Sequence, residues 1–78
     1  MATSRHGRAL HTPAYRCFVA RLILARKQRG LTQAQVAKAL SRPQSFVSKC
    51  ESAQRRVDAV ELQAFATLYQ VPLAFFLK

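Results

Sequence analysis

Apolar residues recur at helical spacing near the start of the chain. The stripe consists of Tyr15, Phe18, Leu22 and Ala25, widened by Val19 and Ile23. Thr12 is followed by Pro13, which places a cap residue before a proline at the first helical position, where its missing N–H costs nothing. The pattern predicts a first helix that begins at Pro13 and stops at Gly30.

Two shorter helices are predicted next. Thr32 caps a helix over residues 33–40, whose inward positions are Val36, Ala37 and Leu40. A break follows at Ser41-Arg42-Pro43, because the residue before a proline is pushed out of the α region. The third helix runs from Pro43 or Gln44 to Ser52.

The last third of the chain predicts two further helices. Asp58 and Glu61 form a capping-box pattern for a fourth helix through Leu68. Val71-Pro72 ends it and starts a short apolar tail over residues 73–78. The pattern therefore predicts an all-α chain of five helices, without strands or repeats.

Length and composition fit one small domain. The chain has 78 residues, half of them hydrophobic, which is too many for a disordered basic tail. Residues 1–12 have no apolar period and carry Arg5, Arg8 and two histidines. We interpret them as a flexible basic arm in front of a domain at residues 13–78.

The charge balance points to an anionic partner. Lys and Arg number 13 against 3 acids, a net charge of +10, and all the acids lie between Glu51 and Glu61. An anionic partner would relieve the repulsion among the positive charges of the protein. Nucleic acid is the leading candidate for that partner, and a membrane surface is the second. A membrane role is disfavoured, since the basic residues are spread over several helices and the longest uncharged run is too short to span.

Other classes find little support. Cys17 and Cys50 make neither a disulfide framework nor a metal site, and His6 and His11 have no ligand neighbours. We expect reduced thiols in the cytoplasm, no metal and no cofactor. The sequence has no pair of carboxylates, no Cys/His pair at catalytic spacing and no glycine-rich phosphate-binding loop, so nothing in it suggests an enzyme. Residues 1–50 lack acids, as a transit peptide would, but regular helix and turn signals argue against that alternative.

Several motifs stand in order from the first helix to the tail. Residues 33–52 read as two helices joined by a tight turn, with the small Ala37 where the helices touch. Together with GLTQ (30–33), QSFVSK (44–49), Glu51 and RRVDAVEL (55–62), they make residues 15–77 resemble the phage-repressor and Cro-like helix-turn-helix family, in particular its xenobiotic-response-element type of bacterial regulators. The resemblance implies a five-helix, lambda-repressor-like domain whose third helix enters the major groove of DNA.

A helical wheel of the third helix separates a core side from an outer side. Val47 and Cys50 point inward, while the opposite side is polar and free of acids. Its candidate base-reading residues are Gln44, Ser45, Ser48 and Lys49. Glutamine can pair with adenine, lysine with guanine and serine with either, although Ser48 fits a phosphate equally well. The alternative is an ordinary solvated helix face.

Phosphate contacts are expected on both sides of this helix. The candidates are Gln33, Arg42, Gln54, Arg55 and Arg56. In the similar repressors the glutamine at Gln33 holds a phosphate and braces the one at Gln44. The arginines would add affinity without sequence information, or else form a solvated charge run.

The resemblance also implies structural roles. Arg26 and Glu51 correspond to a partly buried ion pair between the first and third helices. By its position on the wheel, Phe46 lies on the flank of the third helix, beside Cys50, where it either packs on the loop at residues 54–57 or contacts sugar or a thymine methyl. Ser41 and Ala53 stand where the family usually has glycine.

These features predict a sequence-specific double-stranded DNA-binding regulator of transcription, with repression preferred, from a bacterium or phage. The alternative is an antitoxin or accessory component with a protein partner, possibly also binding its own operator. The chain stops after the fifth helix, so we expect no ligand-sensing domain and no small-molecule ligand. The C-terminal residues Leu73, Phe75, Phe76 and Leu77 predict a homodimer on a pseudo-palindromic operator.

Overall fold

A computed structural model describes residues 11–77, and these residues form four α-helices and one short 3-10 helix, with no strand among them. The helices are α1 (Pro13–Gln28), α2 (Gln33–Ala39), α3 (Gln44–Glu51) and α4 (Ala59–Tyr69), and the 3-10 helix is Leu73–Leu77. The all-helical prediction is confirmed. The basic arm predicted at residues 1–12 falls almost wholly outside the described residues.

The count of five helices is not matched. The last segment winds as a 3-10 helix of five residues. Gln70 adopts a left-handed conformation after α4, with φ of 59°, and Pro72 then supplies the carbonyl that Phe75 N–H binds at 2.9 Å. A segment this short cannot complete two α-helical turns, so the tighter winding satisfies its backbone locally.

Local capping explains where the helices begin. Thr32 and Gln35 form a reciprocal capping box at the start of α2, and Asp58 and Glu61 form another at α4. The Thr12 side chain accepts the N–H of Tyr15 at 3.1 Å, with Pro13 in the first turn of α1. These caps confirm the predicted starts of the three helices.

One core joins all the elements. Its buried members are Leu22, Ala25, Val36, Ala37, Phe46, Val47, Cys50, Phe65, Ala66, Tyr69 and Phe76. Ala37 is almost completely buried, which is consistent with the close packing of α2 on α3. Since α3 packs on α2, α1 and α4, its orientation is determined by the whole domain.

Candidate nucleic-acid interface

The two sides of α3 differ as the helical wheel predicts. Val47 and Cys50 are fully buried, whereas Gln44, Ser45 and Lys49 are exposed. The side chains of Gln44 and Lys49 make no hydrogen bond to any other residue of the described chain, 11–77. The helix therefore presents an amide and an ammonium group to the surroundings.

Ser48 is held differently from its neighbours. It is half-buried, and its hydroxyl donates to the carbonyl of Ser45 at 3.2 Å. A hydroxyl used in this way keeps its lone pairs but has no proton to offer a phosphate. Direct contact with an anion through Ser48 would require this bond to break.

The start of α3 lacks a side-chain cap. Pro43 occupies the cap position with an extended backbone, and although its carbonyl accepts the N–H of Phe46 at 3.0 Å, its side chain has no acceptor for the N–H groups of the first turn. The free N–H groups at a helix start carry partial positive charge. This end of α3 adds to the positive character that Lys49 and the flanking arginines bring.

The other end of α3 is tied to α1 by Arg26 and Glu51. Arg26 donates from Nε to Glu51 Oε2 at 2.7 Å and from Nη2 to Oε1 at 3.0 Å. Its Nη1 also donates to the carbonyl of Leu31 at 2.9 Å. The hydrogen bond to Glu51 raises the pKa of Arg26, and the Glu51 side chain is only 5 % exposed. The pair thus fixes the end of α3 from inside.

Gln33 belongs to the same cluster. Its amide Nε2 donates to Glu51 Oε1 at 2.9 Å, so the side chain turns toward the ion pair and is half-buried. The expected brace between Gln33 and Gln44 is not formed in this structure. A buried carboxylate oxygen is a stronger acceptor than an exposed amide, which accounts for the difference.

Glu61 forms a second ion-pair cluster that the sequence did not predict. Arg55 donates from Nη1 to Glu61 Oε1 at 2.7 Å and from Nη2 to Oε2 at 2.8 Å. Arg42 Nη1 lies 3.7 Å from Oε2. The hydrogen bond from Arg55 lowers the pKa of Glu61, and the same bond raises the pKa of Arg55. Sequence spacing gave no signal, because Arg55 and Glu61 meet across a loop instead of along one helix.

Phe46 lies in the core beneath these arginines. It stacks on Phe65 of α4 with ring centroids 5.9 Å apart, and it is almost completely buried. The guanidinium carbons of Arg42 and Arg55 lie 3.9 and 4.8 Å from the centre of its ring. Contact of Phe46 with sugar or a thymine methyl is therefore excluded in this conformation.

The loop after α3 carries the remaining phosphate candidates. Gln54 and Arg56 are exposed, and the Arg56 guanidinium carbon lies 5.7 Å from the centre of the Tyr15 ring. The Tyr15 hydroxyl accepts the N–H of Val57 at 3.0 Å, which fixes the loop to α1. Of the predicted arginines, Arg56 thus has the fewest internal partners, and Arg55 has the most.

Each of the acids near α3 has an internal hydrogen-bond partner. Glu51 is paired with Arg26, and Glu61, whose side chain is 12 % exposed, is paired with Arg55. Asp58 is exposed but uses its carboxylate to cap α4, where Oδ1 accepts the N–H of Glu61 at 2.7 Å. The outward side of α3 consequently carries positive charge without an opposing free carboxylate.

The predicted dimer surface is smaller than expected. Phe76 is 1 % exposed and lies 6.0 Å from Phe18, ring centre to ring centre, so it belongs to the core and not to an interface. Phe75 is half-buried beneath Arg21, whose Nε donates to the Phe75 carbonyl at 2.8 Å. Leu73 and Leu77 remain exposed, at 42 % and 75 %. The prediction missed this division because both phenylalanines lie in one unpatterned apolar run.

Metal-binding clusters and membrane-spanning helices are both absent from residues 11–77. This part of the chain contains no group of three or more His, Cys, Asp or Glu side chains placed to hold a metal ion. None of its helices combines the length and the apolar character that crossing a bilayer requires.

A comparison with known proteins agrees with the arrangement of α2 and α3 and the turn between them. A family model described as a helix-turn-helix domain matches residues 18–74, well over half of the chain. The match includes α2, α3, the turn between them and both ion-pair clusters. No curated protein matches the sequence.

Proposed function

The chain belongs to the helix-turn-helix domain family, whose members bind DNA, and from that premise we propose that it is a sequence-specific double-stranded DNA-binding regulator of the xenobiotic-response-element type, acting as a repressor in a bacterial or phage cytoplasm. The single observation that carries the proposal is the outward side of α3. Gln44, Ser45 and Lys49 are exposed there, and the nearby acids Glu51 and Glu61 are both paired internally.

We assign base reading to Gln44, with Ser45 and Lys49 beside it. An amide can make two hydrogen bonds to adenine, and an ammonium can reach the acceptors of guanine. Support comes from the freedom of these side chains, because a reading residue must exchange water for a base edge without breaking internal bonds. Ser48 is the weaker candidate, since its proton is already donated to Ser45.

Phosphate contacts are assigned to both flanks of α3. Arg56 and Gln54 are exposed after the helix, and Arg42 is partly exposed before it. Gln33 sits at the start of α2, where free N–H groups favour an anion, and Arg55 is the weakest candidate because it is paired with Glu61. Such contacts fix the position of the protein on the duplex and do not select its sequence.

We further propose a homodimer that uses Leu73 and Leu77. Both leucines are exposed, and they lie on one 3-10 helix at the edge of the domain. A two-fold dimer requires a pseudo-palindromic operator with half-sites about 10 bp apart. Sedimentation that shows only monomer at high micromolar concentration, with and without DNA, would contradict this part of the proposal.

The decisive experiment selects bound duplexes from a random pool. We expect enrichment of one pseudo-palindromic motif for the wild-type chain. Gln44→Ala should relax the preference at one base position in each half-site, at a cost of about 1–3 kcal/mol in discrimination. Arg56→Ala serves as the matched control, because it should weaken binding to all sequences alike. An unenriched pool would reject sequence-specific binding.

A further inference from the structure

Glu61 lies at a junction of three parts of the interface. Its carboxylate accepts two hydrogen bonds from Arg55 and lies 3.7 Å from Arg42. Oε1 also accepts the backbone N–H of Asp58 at 3.0 Å, which anchors the side chain to the start of α4. One negative charge is therefore fixed between the turn before α3 and the loop after it.

The two arginines differ from Glu61 in access to solvent. The side chains of Arg42 and Arg55 are 40 % and 36 % exposed, whereas the side chain of Glu61 is 12 % exposed. Both stack on the buried ring of Phe46, which holds their planar groups at the surface beside the first turn of α3. An anion approaching from outside would meet the arginines but not the carboxylate that neutralises them.

Three of the five N–H donors of Arg55 are already in use. Both terminal nitrogens donate to Glu61, and Nη1 also donates to the carbonyl of Arg56 at 3.0 Å. Glu61 occupies the fork formed by the two terminal nitrogens, an edge that would otherwise bind a phosphate with two parallel hydrogen bonds. A phosphate must therefore compete with a carboxylate for Arg55.

We propose that Glu61 sets the strength of DNA binding by withholding Arg55, and part of the charge of Arg42, from the phosphate backbone. This inference rests on the proposed function and adds an affinity-limiting residue to it. Glu61 acts through the arginines and does not touch DNA. The effect of Glu61 on affinity is the same for every DNA sequence, because phosphate contacts carry no sequence information.

Two substitutions separate this role from a simple change in net charge. Glu61→Gln removes the carboxylate but keeps a side chain that suits the third position of a capping box. Asp58→Asn is the matched control, because it removes one negative charge from the same helix start, retains a good cap residue and touches neither arginine. Both variants are compared with wild type on a selected operator and on a scrambled duplex over a range of salt concentrations.

The proposal predicts a clear difference between them. Glu61→Gln should tighten binding to both duplexes about fivefold to tenfold near 0.1 M salt and steepen the slope of log K against log[salt] by about 2 for the proposed dimer, the effect of one additional phosphate contact per protomer. Asp58→Asn should change affinity less than about twofold and leave the slope unchanged. Thermal melting establishes that each variant is folded at the binding temperature.

A third variant tests whether the gain in DNA affinity depends on Arg55. In the double variant Arg55→Gln/Glu61→Gln, most of the gain should disappear, because the released arginine is no longer there. Equal gains for Glu61→Gln and Asp58→Asn would overturn the proposal, and so would weaker binding by Glu61→Gln. If no variant and no wild-type protein binds either duplex, the proposed function itself is rejected.

Discussion

Within residues 11–77, three residues other than glycine adopt left-handed backbone conformations: Ser41, Ala53 and Gln70, with φ between 56° and 61°. Each directly follows the last turn of a helix, where the chain must reverse its direction. Residues with a Cβ adopt this conformation at a cost of about 1–2 kcal/mol, which glycine avoids. The backbone thus explains why similar proteins usually have glycine at the positions of Ser41 and Ala53.

Replacement of Ala53 by glycine should stabilise the protein. The relief of the left-handed strain outweighs the greater freedom of glycine in the unfolded chain, for a net gain of about 0.5–1 kcal/mol. Ala20 is the control, because it is exposed in the middle of α1, where Ala20→Gly should cost about 1 kcal/mol. Urea unfolding measures both, and a loss of stability in Ala53→Gly would show that the turn has no strain to relieve.

The hydroxyl of Tyr69 is buried without a hydrogen-bond partner among the described residues. Burial raises the pKa of Tyr69, because the site disfavours its charged form. Tyr69→Phe removes only this oxygen, so the free energy of unfolding should stay unchanged or rise by about 1 kcal/mol.

Tyr15→Phe provides the contrasting control for Tyr69→Phe. The Tyr15 hydroxyl accepts the N–H of Val57, and its removal should cost about 1–2 kcal/mol. Chemical unfolding of the two variants compares them directly. Equal losses would show that the Tyr69 oxygen has a partner after all.

At the scale of elements, α3 is held from two directions. Its last residue, Glu51, is bound to α1 through Arg26, and Phe46 in its first turn stacks on Phe65 of α4. A helix of eight residues is unstable alone in water, so these tertiary contacts stabilise it. The side that faces away from them is left for binding.

Glu51→Ala should therefore destabilise the whole domain. It leaves Arg26 partly buried without its carboxylate and releases Gln33, at a cost of about 3–5 kcal/mol. Gln44→Ala, on the exposed side of the same helix, should change stability by less than about 0.5 kcal/mol. Thermal melting distinguishes the two. The assignment of the two sides would be inverted if Gln44→Ala lowered the melting temperature and Glu51→Ala stayed stable but bound DNA without sequence preference.

Capping residues made the starts of α1, α2 and α4 predictable, because Thr12, Thr32 and Asp58 act on neighbours within three residues. The two sides of α3 were likewise predictable from helical periodicity. The partners of Glu61 and the burial of Phe76 were not, because both depend on how separate elements pack. Gln33 shows the same limit, since its choice of Glu51 depends on a carboxylate that the fold brings to it.

At the scale of the whole molecule, the few acids have defined structural tasks. Glu61 has a lowered pKa in the folded protein, chiefly through its hydrogen bond to Arg55, so the unfolded chain binds the proton more readily. Its contribution to stability is complete above its ordinary pKa of about 4.3 and is lost as the pH falls through the lower folded value.

We therefore expect the stability of the wild-type protein to fall in acid, and Glu61→Gln to reduce that fall. Urea unfolding at a series of pH values from about 6 to 2 measures it. Asp58→Asn is again the useful comparison, since the Asp58 carboxylate has no ion-pair partner in the described structure. A pH profile that Glu61→Gln leaves unchanged would remove Glu61 from the acid-sensitive groups.

The net charge of +10 makes DNA binding sensitive to salt. If a dimer neutralises roughly 6–10 phosphates, log K should fall against log[salt] with a slope of about −5 to −9. Binding measured at several salt concentrations gives this slope directly. A flat dependence would mean that the basic surface serves another partner.

Within residues 11–77, the lack of side-chain hydrogen bonds at Gln44 and Lys49 has an evolutionary consequence. Since their substitution breaks no internal hydrogen bond, the proposed base reading would leave mutations at these positions filtered by operator recognition and hardly at all by folding. Descendants of one ancestral gene can therefore diverge toward new operators one residue at a time while remaining folded at every step. For the same reason, the outward side of α3 is the place where an engineer can graft a different specificity onto this domain.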